Sequence, residues 1–139
     1  MKPRHVEDLL RAIRAKKQIE EARAQAIRKA QEKLTEEATA FAAEIAPISE
    51  EESDLAGGDL ELYARRIAYL ERAARERREA VKMLDPRRQS HEEALKQHLR
   101  EEQAWERIRD EQRAEILKTA ENKSEEAREA LTLLKRRSR

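Results

Sequence analysis

The sequence predicts an all-α protein, a long antiparallel two-helix coiled-coil hairpin. Three observations carry this. Charged residues make up 44 % of the 139 residues and aromatics 3 %, a mixture rich in Ala, Glu, Lys, Arg and Leu that belongs to long helices rather than to a packed globule. Apolar residues recur at helical spacing, which argues against the disorder that so much charge would otherwise favour. The only two glycines are adjacent, Gly57 and Gly58, where a chain can turn back on itself.

The first helix is expected from about Arg4 to Ala46. Val6, Ile13, Ile27, Leu34, Phe41 and Ile48 fall on one heptad series, flanked by Leu9, Leu10, Ala30, Ala38 and Ile45 and interrupted by Glu20. Pro47 should end it, because proline lacks an N–H and disfavours helix at the residue before it. Residues 47–58 are then the connection. Ser49 and Glu52 have the spacing of a capping box for one short turn, Gly57 and Gly58 supply the flexible corner, and Asp59 is a natural N-cap.

The second helix is expected over about 59–137. Tyr63, Leu70, Leu84 and Trp105, with His91 and His98 as poorer members, share one series. Ile67, Ala74, Val81, Leu95 and Ile116 fill its companion. Asp85-Pro86 followed by Ser90-His91-Glu92-Glu93 reads as a helix stop with a fresh N-cap. A kink near Pro86 is expected, with a break into a third helix as the alternative. At 1.5 Å per residue the helices are about 65 and 120 Å long, so the second, longer helix overhangs or turns back. An overhang leaves Ile108, Ile116, Leu117, Leu131 and Leu134 partly exposed, a pattern that marks a binding surface. Pairing outward from the corner places Val6 to Ile13 near Leu95 to Trp105. The whole chain, 1–139, is expected to be a single hairpin.

Net charge is +1, but the signs are sorted along the chain. Residues 1–34 carry ten basic and five acidic side chains, and residues 35–62 carry nine acidic and no basic ones. Residues 63–88 are again basic, 89–126 acidic, and the last thirteen hold five basic side chains against one acidic. A solvated coiled coil intersperses its signs. Here the corner is acidic and both termini are basic. If the helix ends meet, Arg11, Arg14, Lys16 and Lys17 join Arg128, Lys135, Arg136 and Arg137 in one positive tip, with Leu131 and Leu134 for apolar packing.

Catalytic chemistry is not legible. There is no cysteine, hence no disulfide framework and no thiolate metal site. No glycine-rich loop cradles a phosphate. His91-Glu92 opens like a zinc-protease helix, but Leu95 stands where the second histidine belongs. His91 and His98 are seven apart and read as seam-edge residues rather than metal ligands. No cofactor is expected, no apolar pocket surrounds a carboxylate to shift it towards catalysis, and the serines have no paired base. The reading is of a protein that holds partners and is not an enzyme. Trp105, in QAWERIRDEQ, is either a seam residue five heptads after Leu70 or an anchor for a partner. The tail Lys135-Arg136-Arg137-Ser138-Arg139 could bind nucleic acid, but no aromatic interleaves it, so no specific nucleic acid is expected. The longest uncharged run is the six residues 38–43, far short of the roughly 20 a membrane span needs. The N-terminus has no apolar stretch of signal-peptide length, and a cytoplasmic protein without membrane insertion is expected.

The stretch LYARRIAYLERA, residues 62–73, followed by EQAWERIRDEQ, residues 102–112, resembles the second helix of the FliJ family, the stalk proteins of the flagellar type III export ATPase. The opening VEDLLRAIRAKKQIEEARAQAI, residues 6–27, is more similar to the corresponding injectisome stalks of the YscO type. The resemblance runs over most of the chain. It implies a central stalk that couples a hexameric export ATPase to the cytoplasmic domain of the export gate, with secretion chaperones as further partners. Such a protein is cytoplasmic and peripherally associated with the inner-membrane export apparatus, in flagellar biogenesis or virulence. The resemblance also implies that the paired terminal helices enter the ATPase ring. The charge pattern and the apolar residues independently point to Arg11, Arg14, Lys16, Lys17, Trp105, Leu131, Leu134, Arg136 and Arg137 as the residues expected to make that contact. Its gate-facing positions correspond to Arg66, Leu70, Ala73 and Arg77, with Tyr63 and Ile67 nearby. Leu70 and Ala73 match the family pattern. Arg66 and Arg77 stand where an aromatic and a histidine are usual in the flagellar branch, which puts gate contact through those two in doubt. Two other readings are a nucleic-acid- or ribosome-associated coiled coil using its basic ends, and a purely structural dimeric coiled coil joined through the overhang.

Overall fold

A computed structural model describes residues 2–52 and 58–138. Among these, all regular structure is two α-helices, α1 over Pro3–Glu52 and α2 over Gly58–Arg137, packed against each other as an all-α hairpin. The two helices supply both of its compact units: Met1–Lys17 with Lys96–Arg139, and Gln18–Leu95. In each unit the partners run antiparallel, because partner numbers fall on one helix as they rise on the other. In the 18–95 unit Glu44 meets Arg66, Glu37 meets Arg77 and Arg28 meets Glu92. In the other, Lys17 meets Glu102 and Glu7 meets Arg113.

The core is the expected seam, thin and rich in alanine. Val6 and Leu10 are fully buried, with Ile13 beside them, and Leu70, Ala73, Ala74, Ala24 and Ala38 are buried in the other unit. Small seam residues let two helices approach closely, since interaxial distance follows side-chain size. Ile27, Leu34, Phe41 and Ile48 are half-buried and Ala30 is exposed. Glu20, the interruption in the first series, lies against His91, a poor member of the second, with 2.5 Å between carboxylate oxygen and Nδ1. The two breaks in the apolar pattern thus satisfy one another.

Pro47, expected to end the first helix, and Pro86, expected to kink the second, are both inside a helix. Pro47 lies within α1, which runs six residues past the expected end to Glu52. The seam explains this, because Ile48 beyond the proline stays half-buried and shares a groove with Leu62, Tyr63 and Arg66. Ser49 is therefore helical, not the cap of a separate turn. Gly57 falls outside the described residues. Asp59, the expected N-cap, is instead within the first turn of α2 with Glu61 because the helix already begins at Gly58, and a carboxylate there still favours the helix dipole.

Pro86 is likewise inside α2, and the third-helix alternative is overturned. Proline removes the donor for the carbonyl four residues back and crowds that turn. The carbonyl concerned is that of Lys82; beside it, Gln31 of α1 braces the same turn, its Nε2 donating to the Val81 carbonyl at 3.1 Å and to Asp85 Oδ1 at 2.7 Å. Asp85 also accepts from Arg88, so the residue read as a helix stop is engaged on two sides within the helix.

Towards the start of α1 the register differs from the expected one. Arg14 reaches Glu102 and Glu106, and Glu7 reaches Arg113, so Val6 to Ile13 lies opposite residues around 106–113 rather than 95–105. Nearer the corner, Glu44 with Arg66 and Glu20 with His91 keep the pairing counted outward from the turn.

Candidate partner-binding surfaces

In the 1–17 and 96–139 unit, α1 offers an apolar face and α2 a largely polar one. Glu102 is 8 % exposed, with Lys17 Nζ at 3.1 Å from both carboxylate oxygens and Arg14 Nε at 3.7 Å. Such burial of a carboxylate is tolerated because two cations and their hydrogen bonds replace lost water. Trp105 is half-buried, and in this segment of α2 it is the one large apolar side chain that is not exposed. It supplies the apolar surface that Glu102, Glu106 and Arg109 cannot.

The expected basic tip divides. Arg14 and Lys17 are engaged within the unit, while Arg11 and Lys16 are exposed. Arg136 and Arg137 close the far end of α2. Because α1 begins at Pro3, opposite about residue 117, the last turn of α2 stands about 30 Å beyond it at 1.5 Å per residue. The two groups of cations are therefore not brought together.

This overhang is the most exposed part of the described chain. Every described residue from Arg113 to Ser138 is exposed, including Ile116 at 56 %, Leu117 at 63 %, Leu131 at 59 % and Leu134 at 61 %. Leu133, which the sequence reading did not single out, is exposed as well. Thr119 and Thr132 hydroxyls donate to carbonyls one turn back, and Ser138 N–H closes the end on the Leu134 carbonyl. Grooves along it are lined by Glu115, Ile116, Thr119, Ala120 and Lys123, and by Arg128, Thr132, Leu133 and Arg136.

In the 18–95 unit, Leu70 and Ala73 are 1 % and 8 % exposed, buried in the seam. Tyr63 and Ile67 are half-buried. What this segment offers outward is Leu62 and Tyr69, 63 % and 59 % exposed. Arg66 reaches Glu44 at 3.6 Å. Arg77 donates to Glu37 at 2.8 Å and lies 5.7 Å from the centre of the Phe41 ring, a cation–π arrangement. Arg66 and Arg77 are thus both engaged by side chains of α1.

Among the described residues, no group of three or more His, Asp or Glu converges as a metal site. His91 is held by Glu20, and His98 Nδ1 lies 3.6 Å from Glu101. No described helix is long and apolar enough to cross a membrane. No protein-family model, curated protein or solved structure matches the chain.

Proposed function

We propose that this chain is a coupling stalk of a bacterial type III protein export apparatus. It performs no chemistry. It seats the free end of α2 in the central opening of a hexameric export ATPase and presents the 62–73 segment to the cytoplasmic domain of the export gate. The observation that supports this best is the bare end of α2, about twenty residues with exposed leucines and a cationic last turn, beside the residues that resemble FliJ and YscO stalks. A coupling element needs a long paired body and a free end that another protein can grip; apolar packing then supplies affinity while positive charge steers encounter with an acidic opening. In the gate-facing segment, Leu70 and Ala73 hold the seam beneath a surface made by Leu62, Tyr63, Ile67 and Tyr69.

The decisive measurement is association with the purified hexameric ATPase. Arg11, Lys16, Arg136 and Arg137 are all exposed, so changing them together to Glu should leave folding intact. Arg14 and Lys17 are unsuitable, because glutamate there would face Glu102 and Glu106. The variant should associate at least about tenfold more slowly at low salt, with the difference shrinking as the Debye length falls to about 3 Å at 1 M. Equal rates at low salt would remove the stalk reading's electrostatic support. Salt-sensitive binding of RNA without sequence preference, in place of ATPase binding, would favour the nucleic-acid reading.

A further inference from the structure

We infer that the free end of α2 pairs with the same segment of a second copy of this chain, antiparallel, about a two-fold axis between Glu125 and Glu126. This does not depend on the stalk reading. Leu117, Ala120, Ser124, Ala127, Leu131 and Leu134 follow one another at alternating three- and four-residue spacing with no charge among them, a complete coiled-coil seam. α1 does not cover it, since all six are exposed. At 3.6 residues per turn, the seam continues to within about a third of a turn the face of α2 that carries Glu102, Trp105 and Gln112 against α1. The surface is thus continuous with an interface the chain already uses.

The seam is complementary to its own reverse. Antiparallel pairing sets Leu117 against Leu134 of the second copy, Ala120 against Leu131 and Ser124 against Ala127, and the two-fold axis repeats each layer. Large residues meet small ones at Ala120 and Leu131, and the centre is narrow. Flanking charges agree. On one side Glu121 falls beside Arg128 of the second copy, twice by symmetry. On the other, Lys123 faces Ala130, and Ile116 faces the stem of Arg137. No like charges meet. A parallel pair would instead set Lys123 against Arg128 of the second copy, twice, and would stack Ser124 on itself. A helix of another protein has no such register written for it in this chain. Pairing over 117–134, about 27 Å of helix, makes a small contact, so the dimer should form in the micromolar range and depend on concentration. A chain so paired cannot offer Leu131 and Leu134 to any other protein, which makes self-association and partner binding mutually exclusive.

The test is sedimentation of the full-length chain over a concentration series, with helicity followed by circular dichroism. The parent should pass from monomer to dimer. Glu121→Arg and Arg128→Glu should each keep full helicity and weaken self-association about tenfold, because two symmetric contacts turn repulsive. An equimolar mixture of the two variants should dimerise as the parent does, and so should the chain carrying both changes, since each restores both opposite-charge contacts. A parent that stays monomeric up to about 1 mM overturns the inference. So do single variants that dimerise like the parent, or a mixture that fails to recover.

Discussion

Glu102, Lys17 and Arg14 show how a charge-rich helix pair tolerates a polar seam. The carboxylate is 8 % exposed and both cations come from α1. Removing one partner leaves a buried charge short of compensation, so Lys17→Met should lower stability by about 1–3 kcal/mol, less than for a fully buried pair because the lysine is partly exposed. Denaturant unfolding would check this; an unchanged midpoint would mean the pair is solvated. Trp105 belongs to the same neighbourhood. As the one large apolar side chain of its segment that α1 half-covers, Trp105→Phe should be nearly neutral and Trp105→Ala should cost about 2 kcal/mol, below the 3–5 of a fully buried tryptophan. Leu70→Ala, at a fully buried seam position, should cost about 2–5 kcal/mol. Ala73→Glu would place a carboxylate in that seam, so its effect on any partner could not be separated from its effect on folding. Tyr69→Ala and Leu62→Ala, both exposed, probe the gate-facing surface without that confusion.

At the scale of the element, what was legible in the sequence was periodicity, and what was not was the cost a helix will bear to keep it. Val6, Ile13 and Leu70 lie where the heptads put them. Pro47 and Pro86 do not stop their helices, because a proline penalty is local whereas a seam is shared with the facing helix. Gln31 was invisible from one strand of text: an exposed-looking amide among charges becomes a donor to Val81 and Asp85 only once α1 lies beside α2. Glu20 and His91 were read as separate flaws for the same reason. The penalty itself is testable. Pro86→Ala restores an N–H for the Lys82 carbonyl, worth up to about 3 kcal/mol in a helix interior, against about 0.4–1 kcal/mol for the freer unfolded chain. A net gain of about 1–2 kcal/mol is expected in thermal or denaturant unfolding. Gln31→Leu should cost about 1 kcal/mol in the parent and less in the Pro86→Ala chain, if the amide serves the proline turn; equal costs in both backgrounds would detach Gln31 from the proline.

For the whole molecule, stability and partner binding are expected to reside in different stretches of chain. Among the described residues, the buried ones lie between Val6 and Glu102, whereas all from Arg113 to Ser138 are exposed. Helix without a packing partner contributes little, since isolated segments of this length are marginal in water. A chain ending after Arg113 should therefore melt within about 2 °C of the parent at low concentration, where a shift of several degrees would correspond to about 1 kcal/mol. Amide exchange in the parent should divide the same way, with 114–137 exchanging early and the segments around Leu10 and Leu70 late. Yet the truncated chain should have lost the exposed leucines, the last-turn cations and the self-complementary seam together, and with them both self-association and capture of the ATPase. Because the parent's own pairing covers 117–134, raising its concentration should slow exchange there and nowhere else. Melting of the truncated chain about 10 °C or more below the parent in dilute solution would mean that the end of α2 packs on its own hairpin, and neither the free-end grip of a stalk nor pairing between copies would then have a surface to use.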